Sequence, residues 1–482
     1  MCTSSLLFLY ICLIILINKN DMFYYLFQYL QDLNFPGAGV FTYVTFRAVA
    51  AAIVALVVSV WFGKIFIRKM QMKKIYENQR KGITDSAVIE SEEDLKMRQE
   101  NEEFFNSLTP EEKKMPKSQL EKSKDPYNTA KKNVPTFGGV IIIFAILMSC
   151  LLIGKIHNIY LILMIATTLI LGTLGFIDDY IKTFKGNKDG IKKWQKLAGQ
   201  VFIGLVVGMT LRFHPAVVVN ETVKTRIEDN KEIVVKSPDV KSTRTTIPFF
   251  KSYNFNYADL FSWTGDQWKY RLGWIFFVFF TAFIVAAVSN GSNLNDGLDG
   301  MAAGNSAIIG LALAVFAYLS SNAVMAGHLN LMFVPGSEEV VVFLAAFVGA
   351  LIGYLWYNSF PAQIFMGDTG SLTIGGIIAV TAVIIHKELL LIILCGMFIF
   401  EMLANLDTNI FIRRGKKSRV FKCAPAHDHY RTSYRFFRNR WGNAKVAFKG
   451  NGILQHEVKI TIRFWIVTIL LAALSLLTLK IR

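Results

Sequence analysis

Short polar motifs interrupt a largely apolar chain of 482 residues, and they contain most of the side chains that could do chemistry. The first motif, Gly-Phe-Ile-Asp-Asp-Tyr, has adjacent carboxylates at Asp178 and Asp179. Adjacent carboxylates repel each other, and the macrodipole disfavours negative charge at the C-terminal end of a helix. This pair is therefore either two solvated aspartates at a membrane edge, or a cation site or general base.

A second motif, residues 290–304, holds five Asn or Asp residues interspersed with glycine. Asp296 and Asp299 are three positions apart, so a helix would place them on one face. A capped turn explains such a composition in many membrane proteins, but it needs only one or two of these residues. Two carboxylates with three amides favour the alternative, which is contact with a sugar, a base or a metal.

The third motif is Phe-Met-Gly-Asp-Thr-Gly-Ser at residues 365–371. One interpretation is that Asp368 is a helix N-cap, a common use of aspartate. The other is a phosphate site at a helix N-terminus, with a divalent cation between the phosphate and the carboxylate. Magnesium bound by one or two carboxylates and by substrate phosphates is the usual arrangement.

The remaining motifs are basic or contain histidine. Pro-Ala-His-Asp-His-Tyr at 425–430 lies in the most basic link of the chain, with His427 and His429 on either side of Asp428. Zinc is one interpretation, although no cysteine or further histidine has suitable spacing. A loop that contacts phosphate or diphosphate fits the surrounding charge better. Lys131 and Lys132 precede Val-Pro-Thr-Phe-Gly-Gly at 134–139, a basic and flexible entry to a helix.

The elements that must position these motifs are long apolar blocks. Hydrophobic residues make up 53% of the chain and charged residues only 18%, and the five cysteines are scattered. This composition excludes an ordinary soluble enzyme, a disordered protein and a disulfide-linked secreted domain. We predict an all-α polytopic membrane protein with about ten transmembrane helices. The predicted spans are 43–66, 135–154, 157–177, 196–212, 272–289, 301–320, 340–357, 372–386, 388–406 and 462–480.

Lys and Arg are concentrated in three links between the spans. Segments 67–134, 178–195 and 407–461 hold 15, 5 and 13 of them, whereas 321–339 holds none. The positive-inside rule places the three basic links in the cytoplasm and both termini on the external, periplasmic side. The net charge of +17 is explained in this way without nucleic acid. Every polar motif then falls at the cytoplasmic face, where we expect the active site.

Three segments are predicted to lie outside the spans of the single transmembrane domain, 22–482. Residues 1–21 are either an extra N-terminal segment or the result of a start assigned upstream of Met22. Residues 76–132, within the charged cytoplasmic loop 67–134, are poor in aromatic residues and are expected to form a mobile, partly helical loop. The external loop 213–271 mixes Val, Thr, Ser and Tyr, and is expected to form a small β-element.

Carboxylates, histidines and lysines at one membrane face indicate an enzyme. Several close carboxylates without a metal would be unfavourable, whereas Mg²⁺ with a phosphorylated substrate balances both the negative and the positive charge. Isolated charges inside the spans are few, Glu401 being the exception, which argues against a pump or channel. The residues thus predict a membrane enzyme that acts on a cytosolic, phosphorylated substrate with Mg²⁺.

In order along the chain, these five motifs resemble those of the phospho-N-acetylmuramoyl-pentapeptide transferases. That family belongs to the polyprenyl-phosphate N-acetylhexosamine-1-phosphate transferase superfamily, and the resemblance runs from about Met22 to Arg482. It implies transfer of phospho-MurNAc-pentapeptide from UDP-MurNAc-pentapeptide to undecaprenyl phosphate, giving lipid I and UMP. It also implies a bacterial inner-membrane enzyme of peptidoglycan synthesis, and we expect a homodimer.

The resemblance implies roles for individual residues. Asp368 would be the magnesium ligand, and Asp178 and Asp179 would serve the lipid phosphate, one of them as its general base. Residues matching positions that line the nucleotide-sugar pocket are Lys131, Thr136, Asn293, Asp296, Asp299, Asn358 and His427, with His429 beside them. The family usually has three consecutive histidines where this chain has His-Asp-His, so the donor role of the middle position is in question.

Two rival functions remain at the level of sequence. The nearer is a sister transferase that uses UDP-GlcNAc, from which Pro-x-His-x-His after a basic run distinguishes the muramoyl branch. The other is a transporter for a phosphorylated metabolite, which would need a polar path through the centres of the spans. No such path is evident in the apolar blocks.

Overall fold

The computed structural model describes most of the chain between residues 38 and 479. The described residues are 38–73, 134–185, 187, 190–221, 223–228, 231–249, 254–413, 425–431 and 457–479. The predicted N-terminal segment 1–21, most of the 67–134 loop with Lys131, and the side chain of His429 lie outside them.

Helices dominate, because an apolar segment in lipid must satisfy its backbone hydrogen bonds internally. In chain order the α-helices are α1 (Val44–Met72), α2 (Gly139–Ile153), α3 (Ile159–Phe184), α4 (Lys193–Phe213), α5 (Asp266–Leu294), α6 (Met301–Ser321), α7 (Ala323–His328), α8 (Glu338–Asn358), α9 (Gly367–Ile384), α10 (Leu391–Leu394), α11 (Gly396–Arg413), α12 (Ala426–Arg431) and α13 (Glu457–Leu477). Within the described residues, eight helices are long and apolar enough to cross a membrane: α1, α3, α4, α5, α6, α8, α9 and α13. An all-α polytopic membrane protein is therefore confirmed.

Two of the ten predicted spans differ from simple transmembrane helices. Helix α2 has 15 residues, which at 1.5 Å per residue is about 22 Å, less than the hydrocarbon thickness of roughly 30 Å. The segment Glu388–Leu394 and helix α11 are bent by 75° where they meet, so they form a broken span or a re-entrant loop. The described residues thus provide eight spans, or nine if the bent pair is counted as one.

Helix α9 lies at the centre of the bundle. Every residue from Thr369 to Ile384 is buried, by α3 and α5 above all. The start of α9 also meets the start of α2 closely, because a Cβ on Gly139 would lie only 2.1 Å from the backbone nitrogen of Gly370. Small residues let helix backbones approach in this way. The N-terminus of α9 is therefore fixed from several sides.

A buried ion pair joins α1 to α8 at the opposite end of the bundle. Arg47 Nη1 lies 2.6 Å from Glu339 Oε1, and neither side chain is exposed to solvent. Glu339 Oε2 also accepts the backbone N–H of Lys155, which lies between α2 and α3. Because a buried charge is unfavourable unless it is paired, this contact determines how the three segments meet.

Four short strands lie between α4 and α5, where the sequence predicted a β-element. Strands β1 (Val223–Glu228) and β2 (Lys231–Lys236) form one antiparallel hairpin, and β3 (Arg244–Thr246) pairs with β4 (Asn254–Asn256). The backbone N–H of Thr246 donates to the carbonyl of His386, just after α9. We call this the strand end of the bundle. The end where α3, α5 and α8 finish and α4, α6 and α9 begin is the site end.

Two local predictions are corrected by the helix boundaries. Helix α3 continues to Phe184 rather than ending near residue 177, so Asp178 and Asp179 lie inside its last two turns. Asp296 and Asp299 do not share a helix face, because α5 ends at Leu294 and residues 295–300 form a turn before α6. The glycines at 297 and 300 favour a turn over a helix here.

Candidate active site

Three aspartates meet where α3 passes the start of α9. One oxygen each from Asp178, Asp179 and Asp368 lies within 4.8 Å of the others. The Asp178 side chain is fully buried, whereas that of Asp368 is 12% exposed. In the described part of the chain this is the only group of three or more His, Cys, Asp or Glu side chains that could hold a metal ion.

Asp179 binds the first turn of α9. Its Oδ1 accepts the backbone N–H of Asp368 at 3.0 Å, and its Oδ2 accepts the N–H and the hydroxyl of Thr369 at 2.9 and 2.6 Å. The first amides of a helix have no partner within the helix and favour negative charge. Asp179 therefore does the work of an N-cap from a neighbouring helix. The interpretation of Asp368 as the N-cap is wrong, since no side chain within α9 caps it.

Two lysines neutralise the other two carboxylates. Lys182 Nζ lies 2.6 Å from Asp178 Oδ2 and 2.9 Å from Asp368 Oδ2. Lys196 Nζ, from the first turn of α4, lies 3.2 Å and 2.5 Å from the same two oxygens. Both lysine side chains are partly exposed, at 27% and 17%. The accessible surface of the site therefore presents one carboxylate and two ammonium groups.

Sequence reasoning missed both of these lysines. Lys182 is four residues after Asp178, which puts the two on one helix face. It belongs to the basic link 178–195, whose charge predicts the topology but does not by itself indicate a site. The carboxylate four residues earlier is a signal that could have identified Lys182. Lys196 carries no such signal, because its proximity depends on how α4 packs.

Gly190 and Ile191, just before α4, cover Asp178. The backbone N–H of Ile191 donates to Asp178 Oδ1 at 2.8 Å. Gly190 has a φ of +66°, and a Cβ there would lie 2.3 Å from the same oxygen. Glycine satisfies both requirements, since it adopts positive φ readily and leaves room for the carboxylate.

The segment containing Thr136 supports the start of α9 from another side. The backbone N–H of Phe365 donates to the carbonyl of Pro135 at 2.9 Å, and that of Gly138 donates to the carbonyl of Phe365 at 2.8 Å. Thr136 lies between these contacts and is 2% exposed. The motif at 135–139 is thus brought beside the aspartates.

The end of α5 and the Asn- and Asp-rich turn that follows it, residues 295–300, pack against the same end of α9. Asn293 Oδ1 accepts the hydroxyl hydrogen of Ser371 at 2.9 Å. Asp299 Oδ2 accepts the backbone N–H of Ala362 at 3.0 Å. Asp296, in the same turn, is half-buried. These contacts join the second and third motifs into one surface.

Asn358 connects the end of α8 to both motifs. Its Oδ1 accepts the backbone N–H of Gly300 at 3.1 Å, and its Nδ2 donates to the carbonyl of Ile364 at 2.9 Å. The side chain is buried. These two bonds fix the positions of the turn and of the segment before α9 relative to each other.

His427 is held by a buried glutamate from the bent segment. Glu401 Oε2 accepts the backbone N–H of Ala426 at 2.7 Å, and its Oε1 lies 3.2 Å from both the backbone nitrogen and Nδ1 of His427. On the other side of the ring, a Cβ on Gly297 would lie 2.0 Å from His427 Nε2. The histidine motif therefore contacts the Asn- and Asp-rich turn. Among the described side chains, no group of three potential zinc ligands includes His427.

This arrangement suits phosphoryl chemistry. Carboxylate oxygens are the ligands preferred by Mg²⁺, and lysines and a histidine beside them can contact phosphate oxygens. The structure brings together all the predicted site residues whose side chains it describes, at the site end of the bundle. Lys131 and the side chain of His429 lie outside the described residues, so their predicted roles stay predictions.

Comparison with known proteins decides the family. Residues 161–386 match the family model described as glycosyl transferase family 4. The chain is 51% identical over 466 residues to a Phocaeicola vulgatus protein named phospho-N-acetylmuramoyl-pentapeptide-transferase, covering 96% of this chain and all of that protein. Proteins of the same name from Bacteroides fragilis and Flavobacterium psychrophilum are 52% and 44% identical, with equal coverage. The chain belongs to this transferase family. It is a phosphoglycosyl transferase, as the sequence motifs predicted.

The contact between Glu401 and His427 leads to a prediction for this transferase. In a Glu401→Gln variant only one oxygen can accept, so His427 loses part of the contact that orients it. We expect the catalytic rate to fall between about tenfold and a hundredfold, because small displacements of a positioning group are costly. Glu338→Gln, which removes a partly exposed carboxylate at the strand end, is the matched control and should retain the full rate. A Glu401→Gln rate equal to wild type, with His427→Ala inactive, would show that the histidine is oriented by something else.

Proposed function

We propose that this chain transfers phospho-MurNAc-pentapeptide from UDP-MurNAc-pentapeptide to undecaprenyl phosphate in a Mg²⁺-dependent reaction, giving lipid I and UMP. The observation that carries the proposal is the three-aspartate, two-lysine site in a chain about 50% identical to relatives named for this transfer. The site combines a place for a divalent cation with groups that neutralise phosphate.

We place the site end in the cytoplasm and both termini outside, in the inner membrane of a bacterium. The three basic links supply the argument, because each joins helices at the site end: α1 to α2, α3 to α4, and α11 to α13. Positive charge is retained on the cytoplasmic side of membrane proteins. A cytosolic nucleotide sugar would then reach the site directly. A homodimer also remains our prediction.

The residues present fit Mg²⁺, with Asp368 as its ligand. The donor set is oxygen only, and Asp368 is the triad member whose side chain reaches the surface. Asp179 is already committed to the first turn of α9, so it supports the ligand rather than replacing it. When bound, Mg²⁺ would neutralise charge on the donor diphosphate.

Asp178 is the candidate general base for the acceptor. Protonating Asp179 would weaken the three hydrogen bonds that hold α9. Asp178 makes none of these bonds, and its two lysines would keep Asp368 as a partner if Asp178 were protonated. Asp178 would take the proton of the lipid phosphate. An oxygen of that phosphate forms a bond to the sugar-bearing phosphorus of the donor. The bond from that phosphorus to the bridging oxygen breaks, and UMP leaves with the oxygen.

Lys182 and Lys196 would stabilise the charge that moves during transfer. Both ammonium groups are partly exposed and contact Asp368, the carboxylate that reaches the surface. When phosphates enter, each lysine can donate to a phosphate oxygen while it stays near Asp368. Phosphoryl transfer depends largely on such positioning and charge neutralisation. His427 and the Asn- and Asp-rich turn would contact the nucleotide sugar from the adjacent side.

The test is UMP release by the purified full-length chain. The protein is given undecaprenyl phosphate with UDP-MurNAc-pentapeptide or UDP-GlcNAc, each with and without Mg²⁺. We expect release only with the muramoyl donor and Mg²⁺. Release with UDP-GlcNAc but not with the muramoyl donor would assign the chain to the sister branch. Absence of release with both donors, from protein that remains folded in detergent, would contradict the proposal.

A further inference from the structure

At the strand end of the bundle, two cations lie beside an apolar crevice between α4 and α5. The crevice is open to solvent and is lined by Leu211, Val217, Trp274 and Phe277, together with Lys241. The guanidinium of Arg212 lies 4.7 Å from the centre of the Trp274 ring. This surface is at the opposite end of the bundle from the aspartates, and the proposed transfer makes no use of it.

Neither cation pairs with a carboxylate among the described residues. Lys241 Nζ donates to the carbonyls of Leu211 and His214, at the end of α4, and retains a third N–H. The nearby acid Glu221 is already bound by Arg244 at 2.7 Å. Partial burial and the repulsion from Arg212 both lower the pKa of Lys241. An anion between the two cations would remove that repulsion.

The exposed aromatic residues around this end place the crevice at the level of lipid headgroups. Phe213, Trp263 and Trp268 are 74%, 78% and 60% exposed. Trp and Tyr are enriched where transmembrane helices leave the hydrocarbon. Below the crevice, α4 and α5 expose apolar side chains such as Met209 and Phe279.

We propose that Arg212 and Lys241 bind the headgroup phosphate of an anionic phospholipid, whose acyl chains extend along the exposed faces of α4 and α5. The charge of the pair selects an anion, and the apolar surface directly beneath selects one that carries hydrocarbon. Arginine stacked on an aromatic ring retains its planar donors for phosphate oxygens. His386 also lines the crevice, but burial lowers its pKa to about 4, so it adds no charge at neutral pH.

The test compares lipid binding by native mass spectrometry of the full chain after delipidation. Phosphatidylglycerol and phosphatidylcholine with identical acyl chains are the two probes. We expect phosphatidylglycerol to bind tightly to wild type and about 30-fold more weakly to an Arg212→Gln, Lys241→Gln variant, with phosphatidylcholine unchanged. Lys155→Gln removes a cation that already has carboxylate partners at the same end, and should bind as wild type does.

Three results would overturn the proposal. The first is an equal loss in the Lys155→Gln variant, which would indicate general charge attraction. The second is displacement of phosphatidylglycerol by millimolar inorganic phosphate, which would indicate a site for the free ion. The third is unchanged binding in the double variant. If the double variant does not fold, Val218→Glu places a negative charge in the crevice and should weaken phosphatidylglycerol binding to a similar extent.

Discussion

An Asp368→Ala variant is expected to lose turnover by roughly a thousandfold or more while remaining folded in detergent. Asp368 is the triad carboxylate that reaches the surface, and its Oδ2 accepts from both Lys182 and Lys196. Its removal leaves two ammonium groups without this partner and takes away the proposed oxygen ligand of Mg²⁺. The measurement is UMP release at saturating Mg²⁺. Asp368→Asn, which preserves the shape of the side chain, should be nearly as inactive because the charge is what matters.

The matched control for this experiment is Asp259→Asn. Asp259 is an exposed aspartate before α5 that pairs with Lys269 at 2.7 Å, far along the chain from the triad. We expect it to retain the wild-type rate and folding. A wild-type rate in Asp368→Ala at saturating Mg²⁺ would remove Asp368 from the site. That result would also contradict the proposed role of the aspartate cluster.

The helical architecture could be predicted from the sequence because lipid leaves an apolar segment little choice. Runs of about 20 apolar residues must become helices, and successive spans alternate in direction across the membrane. Convergence of the motifs followed from that alternation alone. The short α2 and the 75° bend at Cys395 could not be predicted in this way, since length and composition do not show where a helix breaks.

The detailed roles inside the site depended on tertiary packing. The sequence indicated Asp178 and Asp179 as a pair, but not that Asp179 binds the amides of α9 while Asp178 binds two lysines. The sequence shows Glu401 only as an isolated charge in a span. Its contact with His427 joins two residues that are 26 positions apart. Most of the chain between them lies outside the described residues or carries no local pattern that predicts the contact. Local patterns carry no information about such partners.

In the Asn- and Asp-rich turn, the sequence indicates the right segment, but the helical geometry that its spacing predicts is wrong. The spacing of Asp296 and Asp299 fits a helix face, yet α5 ends at Leu294, before either aspartate, and a turn with glycines at 297 and 300 follows. Gly297 also lies against the His427 ring, since a Cβ there would be 2.0 Å from Nε2. A turn therefore allows contacts that a continuous helix would prevent.

Asp179→Asn is expected to lower the rate of UMP release by about a hundredfold, because it displaces Asp368 rather than removing it. Asp179 accepts the N–H of Asp368 on Oδ1 and both donors of Thr369 on Oδ2. An asparagine has one acceptor oxygen, so its amide N–H₂ must face at least one of these donors. Unfolding should also become easier by about 1–2 kcal/mol, as when a helix cap is lost.

A Thr369→Val variant separates positioning from direct chemistry. It removes only the 2.6 Å hydroxyl bond to Asp179 and leaves both carboxylates in place. If Asp179 acts by holding α9, Thr369→Val should show a smaller loss of the same kind, and both variants should need more Mg²⁺ for half-maximal rate. If Asp179 instead exchanges a proton with substrate, Asp179→Asn should lose kcat with an unchanged Mg²⁺ requirement, and Thr369→Val should behave as wild type. The Mg²⁺ titration therefore distinguishes the two roles even if both variants are slow.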